Sequence, residues 1–331
     1  MAPQTSIWAS HLILVATACA GIYAFVQKRK RSSKYNVPSD LVNSPYGKEV
    51  VVALELALKA GLNMIAYCDE KGTEAESGQD LEIKTKGQPE DFCTRVDIEN
   101  ENLVMEGLLK SFPTHTIIGE ESVGNNPLPP LTTDPTWIID PIDGNTNFAS
   151  GLPLTCVSIG FCDKKNPVIG VVYAPMTDEV YLAVRGYGAY RNGVKITQRE
   201  TKALCDAVVC FEFGYARDQE AVDKMVGAVR KILEHGCRTC RCLGSGVLDL
   251  CYVATGRLDV VYAGVAGEGW KPWDYCAGFV VATEAGCTMQ PIAQLSKTDF
   301  DIYSSSVICG VSSNLVQELR ATISRKCMAF A

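Results

Sequence analysis

Three apolar runs in this chain end in carboxylates, and any fold it adopts must bring those groups to a place where their charge is met. Ile117-Ile118 leads into Gly119-Glu120-Glu121-Ser122, and Trp137-Ile138-Ile139 leads into Asp140-Pro141-Ile142-Asp143-Gly144. Trp273-Asp274 opens an apolar helical stretch. Charge at the end of a buried strand is costly unless something neutralises it. Two carboxylates three residues apart, with Pro between them, suit a turn that aims both at one point. A hard cation held by oxygens is the natural partner, and Mg²⁺ prefers few carboxylates together with waters and substrate phosphate. A single cluster of this kind reads equally well as helix capping or solvated loop acid. Three of them, each at the end of an apolar run, read as one site.

Composition supports a folded, cation-holding body rather than a nucleic-acid binder. The 331 residues are 47% hydrophobic and 21% charged, which excludes a low-complexity or wholly disordered chain. The net charge of −7 is unevenly placed. Residues 1–34 hold Lys28, Arg29, Lys30, Arg31 and Lys34 and no acid, which leaves 26 basic against 38 acidic residues in the remainder. An acidic body does not grip nucleic-acid phosphates by net charge. The 15 cysteines are odd in number and mostly embedded in apolar runs, a pattern of buried small hydrophobes in a reducing compartment. Cys237, Cys240 and Cys242 form the one local cluster; only His235 stands near as a fourth metal ligand, and ordinary strand packing accounts for them better.

At the N-terminus, Ile7 to Val26 is a 20-residue apolar-biased stretch followed by the five bases. That is about the length needed to span ~30 Å of hydrocarbon. The basic flank puts the rest of the chain on the cytoplasmic face. Residues 1–34 are therefore expected to be a membrane anchor with a basic flank, outside the fold; a cleaved targeting segment is the alternative, because Ala18-Cys19-Ala20 resembles a cleavage site. Residues 35–47, with Pro38 and Pro45, read as a linker, and 48–331 as the catalytic domain. Within it, helices are expected over Val50–Tyr67, Thr94–Phe112, Gln219–Leu233, Val247–Thr255, Trp273–Ala285 and Ser313–Ser324. Strands are expected at Trp137–Ile139, Leu154–Phe161, Val168–Tyr173 and Val180–Val184, and Asp69–Asp80 reads as an acidic loop. Strands thus mix with long helices through the whole body, an α/β pattern with no internal repeat.

The segment Trp137-Ile-Ile-Asp-Pro-Ile-Asp-Gly-Asn-Thr-Asn-Phe148 resembles the signature of the inositol monophosphatase family of Mg²⁺-dependent phosphatases. Ile118-Gly-Glu-Glu-Ser122, Lys271-Pro-Trp-Asp-Tyr-Cys-Ala-Gly278, Asp91-Phe-Cys-Thr-Arg-Val-Asp97 and Arg241-Cys-Leu-Gly-Ser-Gly246 are similar to its other motifs, in its order. The resemblance covers roughly residues 48–325. It implies a layered α-β-α-β-α sandwich of the sugar-phosphatase type, a homodimer and inhibition by Li⁺. It also implies hydrolysis of myo-inositol monophosphates to inositol and phosphate by direct attack of a metal-activated water, with two or three Mg²⁺ per site. Glu120, Asp140 and the carbonyl of Ile142 would hold one ion. Asp140, Asp143 and Asp274 would hold a second, and a third would sit near Glu120. Gly144 and Asn145 would offer backbone N–H groups to the phosphate. Gly244, Ser245 and Gly246 would meet the polyol, so that Glu120, Ile142, Asp143, Gly144, Asn145 and Asp274 all face substrate as well.

Two departures from the family pattern stand out. The family carries Thr or Ser after the Asp-Gly pair, where its hydroxyl, held by the residue matching Asp97, orients the attacking water; here Asn145 stands there. Its amide can donate to Asp97 and its carbonyl can accept from water, but it cannot relay a proton, so Glu120 would carry more of the base role. The family's polyol-binding Glu falls at Gly267, with Glu268 one step on, and Tyr215 replaces a small polar residue near the pocket. Related sugar-phosphate, histidinol-phosphate and 3′(2′),5′-bisphosphate nucleotide phosphatases share the metal core, and a membrane-tethered pseudophosphatase is the non-enzymatic alternative. A haloacid-dehalogenase-type phosphatase is disfavoured, because it needs two Asp two residues apart.

Overall fold

The structure is a computed structural model and describes residues 33–73, 84–85, 92–197, 203–267, 269–292 and 300–324. The chain divides at residue 36. In the first unit Ser33–Tyr35 is a single 3-10 turn, and the expected anchor over Ile7–Val26 lies outside the described residues. Everything below concerns the second unit.

Two sheets organise it. The larger is formed by β1 (Thr116–Gly119), β2 (Thr136–Asp143), β3 (Cys156–Asp163), β4 (Asn166–Ala174), β5 (Glu179–Val184), β6 (Gly188–Arg191) and β7 (Val194–Lys195), in that order. β1 and β2 are parallel, and every later pair is antiparallel, as short connections between consecutive strands require. The smaller sheet contains β8 (Val208–Glu212), β9 (Thr239–Arg241), β10 (Val260–Ala263), β11 (Thr288–Gln290) and β12 (Val307–Gly310), in the order β9-β8-β10-β12-β11. β8 runs parallel to both β9 and β10.

Three helix pairs alternate with these sheets. The helices α1 (Gly47–Thr73) and α2 (Arg95–Ser111) pack on each other and on the outer face of the larger sheet. Two short helices follow, α3 (Glu120–Val123) and α4 (Asn145–Ser150). α5 (Gln219–His235) and α8 (Ser313–Ser324) pair on the far side, with α8 against β11 and β12 of the smaller sheet, while α6 (Gly246–Ala254) and α7 (Pro272–Glu284) are sandwiched between the sheets. The α-β-α-β-α order of layers is the one expected. α1 is long and apolar enough over Gly47–Cys68 to cross a membrane by length and composition, but it lies on the sheet with Val50, Ala53, Leu54, Ala57 and Met64 buried.

The central pair shows why the layers close tightly. Every residue of α6 is buried, as are ten of α7, so neither helix has a polar face to turn to water. α7 approaches the larger sheet over Gly160 and Gly170, which are register partners on β3 and β4. A Cβ on Gly160 would lie 2.4 Å from Cys276 Sγ, and one on Gly170 would lie 2.2 Å from the carbonyl oxygen of Ala277. Only glycine lets the helix backbone come so near.

Most expected elements form with shifted ends. α1 extends to Thr73, so the acidic loop expected from Asp69 begins later, because nothing in Asp69-Glu70-Lys71 breaks a helix. The linker expected over 35–47 instead contains a helical turn, Ser39–Val42, which buries Leu41 completely. The Tyr190 hydroxyl donates to Asp40 at 2.7 Å and ties that turn to β6. His235 turns to Glu318, 3.1 Å away, rather than to the cysteine cluster; Cys240 lies on β9, and the described cysteines are all free.

Candidate metal centre and active site

The site forms where β2 ends. In a regular strand, residues three apart face opposite sides. Between Asp140 and Asp143 the register with β3 shifts: Asp140 pairs with Ser158 and Asp143 with Cys156, so β2 carries one more residue than its partner. Pro141, which has no N–H to offer the ladder, sits in this bulge. The expected turn is therefore an irregularity within β2, and it has the expected effect. Carboxylate oxygens of Asp140, Asp143 and Asp274 lie within 4.8 Å of one another.

Each of these acids is held by its neighbours. Asp140 Oδ1 accepts from the Ile142 N–H at 3.0 Å. Asp143 Oδ2 accepts from the Val247 N–H at 2.9 Å and from the Ser245 hydroxyl. Asp274 is the third residue of α7 and accepts from the Lys271 N–H at 2.6 Å, closing a capping box with Pro272 at the first helical position. Ser158 Oγ donates to the Trp273 carbonyl, which locks the start of α7 onto β3.

Electrostatically the trio is incomplete by itself. Burial, then the charges of Glu120, Asp143 and Asp274, pushes Asp140 well above the usual carboxylate range. Burial, with Asp143 and Glu120, does the same to Asp274. Asp143 rises only to about 6, because Ser245 and Val247 stabilise its charge against burial. Buried carboxylates this close together ionise together only when a cation joins them. The donors are all oxygen, which fits a hard divalent ion.

Glu120 opens α3 and stands half-buried on the wall of a cavity of about 820 Å³, which Asp140, Ile142, Asp143 and Asp274 also line. Gly144, Asn145, Gly244 and Gly246 are on the same wall. Two expected site residues lie elsewhere. Ser245 is buried and gives its hydroxyl to Asp143, so it positions a ligand carboxylate instead of meeting the polyol. Asp97 is completely buried; as the third residue of α2, its Oδ2 accepts from the N–H and hydroxyl of Thr94, at 2.7 and 2.5 Å. Its Oδ1 is buried and takes no hydrogen bond, so the contact expected from Asn145 is not made there. Burial first, with added repulsion from Glu121 and Glu120, brings Asp97 up to about 7 despite the two bonds from Thr94. Glu268 lies outside the described residues.

Three supporting residues were not anticipated. Glu101, one turn beyond Asp97 on α2, accepts from the N–H groups of Glu121 and Ser122 at 2.8 and 2.7 Å, and so caps the helix that carries Glu120. Glu212, at the end of β8, accepts from the N–H groups of Leu243 and Gly244 at 2.8 and 2.9 Å. Asn147 donates to the carbonyls of Leu154 and Leu243 at 2.9 and 2.7 Å. Both of the last two fix the loop that enters α6. Signals for the first two exist in the sequence: Asp97 and Glu101 share a helix face, and Val208-Val209-Cys210-Phe211-Glu212 is a fourth apolar run ending in an acid. Cys210, Glu212 and Asp249 also bring ligand-type atoms within 4.8 Å of one another. There, burial and then the Glu212 charge push Asp249 well above the usual carboxylate range, and it packs as a neutral acid.

The geometry finds its counterparts among known proteins. The sequence profile described as "Inositol monophosphatase family" matches residues 48–329. "Inositol monophosphatase 2" of Solanum lycopersicum is 39% identical over 263 residues, which cover 78% of this chain and 91% of that protein. "Inositol monophosphatase 1" of Homo sapiens is 32% identical, over 74% of this chain and 86% of its own. Among solved structures, the extragenic suppressor protein suhB of Bartonella henselae superposes with a TM-score of 0.71 at 26% identity, covering 83% of this chain and 97% of that one. Inositol monophosphatase from Anabaena does so with a TM-score of 0.64 at 27% identity, covering 83% and 94%. With the family profile spanning most of the chain and the acids gathered at the end of β2, this chain belongs to the inositol monophosphatase family and is a metal-dependent phosphatase acting on phosphomonoesters.

Proposed function

We propose that the chain hydrolyses myo-inositol monophosphates to inositol and phosphate, with Mg²⁺ as its cation. The observation that supports this most directly is the convergence of Asp140, Asp143 and Asp274 on the cavity that Glu120 also lines. Glu120, Asp140 and the Ile142 carbonyl would hold one ion, Asp140, Asp143 and Asp274 a second, and a third would sit by Glu120. Such ions supply charge neutralisation of the phosphate and a water acidic enough to attack at neutral pH.

The chain's own groups do the rest. Asp140 is common to both sets and fixes their separation. Ser245 and Val247 hold Asp143 in its ionised form. Gly144 and Asn145, at the start of α4, present backbone N–H groups to the phosphate oxygens. The Asn145 amide and Glu120 orient the attacking water, and Asp97 supports that end of the site from behind α3. Gly244, Gly246 and Glu268 meet the alcohol.

Phosphate release from myo-inositol 1-phosphate, with Mg²⁺ titrated from zero, tests the assignment. The wild type should show no release without the cation. Asp140→Asn should abolish turnover, because it removes the shared ligand; near-normal Mg²⁺-dependent activity in that variant overturns the two-ion assignment. Carried with the same proposal are Li⁺ inhibition, a homodimer, and attachment to a membrane through residues 7–26 with the catalytic domain on the cytoplasmic side.

A further inference from the structure

The cavity wall away from the carboxylates is aromatic. Phe213 and Tyr215 follow β8, line the cavity and stay 45% and 53% exposed. Rings that large are seldom left so open without a ligand or partner to cover them. Phe213 is braced edge-on by Phe211, with ring centroids 5.1 Å apart. Trp270 lines the same cavity and is supported by Tyr275, centroids 5.4 Å apart.

Gly246 reveals how firmly the indole is seated. A Cβ built on it would lie 2.7 Å from Trp270 Cε2 and 2.9 Å from Cζ2. The ring therefore rests on the α6 backbone, and only glycine permits it. Next to it, Gly264, Gly267 and Gly269 give the wall bare backbone where a side chain would otherwise project. Rings at the edge and a smooth floor suit a flat ligand better than one that offers only hydroxyls.

We propose that the alcohol side of this cavity takes a planar aromatic ring, so that the enzyme also hydrolyses phosphomonoesters of aromatic alcohols or nucleosides. This rests on the phosphatase activity argued under "Proposed function" and widens its substrate class. Water adds to phosphorus, the bond from phosphorus to the alcohol oxygen breaks, and that oxygen takes up a proton; the ring itself is unchanged and serves only for binding.

The test compares kcat/KM of the full chain with Mg²⁺ on phenyl phosphate, adenosine 2′-monophosphate, myo-inositol 1-phosphate and glycerol 2-phosphate. At least one aromatic ester should exceed glycerol 2-phosphate by about tenfold or more, the scale of a single stacking contact. Phenyl phosphate alone would identify a small aryl group, and the nucleotide alone a nucleobase. Phe213→Ala and Tyr215→Ala should each lower that aromatic-to-glycerol ratio, and Gly246→Ala should lower it by displacing Trp270, whereas Phe213→Tyr should preserve it. Because Gly246→Ala can disturb folding, competition by phenylphosphonate against methylphosphonate gives a second readout in the Phe213 and Tyr215 variants. Equal ratios in wild type and variants, with glycerol 2-phosphate still hydrolysed, overturn the aromatic subsite and leave the phosphatase intact. No release from any ester removes both.

Discussion

Glu101 offers the sharpest test of how the site is held, since it touches no proposed metal ligand through its side chain. α3 has four residues and its N-cap is Gly119, which has no side chain to offer the first N–H groups. A helix so short cannot sustain itself, and its leading donors need partners from elsewhere. Glu101 reaches across from α2 and supplies both, at 2.8 and 2.7 Å, while remaining only 3% exposed. Glu101→Ala removes two hydrogen bonds to a carboxylate, about 1.5–3 kcal/mol each in isolation. Burial already raises the pKa of this group, so part of that gain is offset in the native protein. The net loss of stability should be about 2–4 kcal/mol. Glu101→Gln, which keeps one acceptor oxygen, should lose about half as much. Because Glu120 begins the helix so capped, the Mg²⁺ concentration for half-maximal phosphate release should rise about tenfold or more in the Ala variant, in the range seen when groups behind metal ligands are removed. KM at saturating Mg²⁺ should move far less. Thermal unfolding and Mg²⁺ titration of the same preparations measure both. A variant that unfolds earlier while keeping its Mg²⁺ dependence within twofold would show that Glu101 stabilises α2 and not the placement of Glu120.

Three further outcomes follow from the same geometry. Asp97 at about 7 and Asp143 at about 6 both lie above the ~3.9 of an unfolded Asp. Their contribution to stability is complete below ~3.9 and disappears as pH rises through 6 and 7, so the metal-free protein should lose stability between pH 5 and 8. Saturating Mg²⁺ should flatten that decline; a metal-free Tm that climbs across this window in EDTA contradicts it. Asn145→Thr should raise kcat by up to tenfold, about 1.4 kcal/mol of barrier, with little change in KM, since Asp97 keeps an unused oxygen for a hydroxyl. A fall in kcat/KM on the best substrate would mean that Asn145 serves the substrate directly. Deleting residues 1–34 should yield an active enzyme that no longer sediments with lipid vesicles; continued sedimentation of the deleted form refutes the anchor.

The parts of this protein that were legible in the sequence are those whose physics is local. Ser313–Ser324 forms as the helix expected, and Thr94 with Asp97 announces the start of α2 through a capping box three residues long. The acids of β2 were legible because apolar strand, Pro and paired carboxylates coincide within eight residues. What the sequence concealed depends on which distant segments meet. Ser245 lies 102 residues from Asp143, and in the chain it reads as one more polar residue of a Gly-rich loop. Glu101 lies 20 residues from the N–H groups it caps, and Glu212 lies 31 and 32 from those of Leu243 and Gly244. Neither bond is implied until the sheets set β8 beside β10 and α2 beside α3. The bulge at Pro141 shows the same division from the other side. Residue types foretold that Asp140 and Asp143 must converge, but whether by a turn or by an extra residue in a continuing strand was decided by the pairing with β3. That choice has a consequence for the site. A strand anchored on both sides of the bulge holds the two carboxylates more rigidly than a free turn, which is how acids that repel one another can stay gathered until a cation arrives.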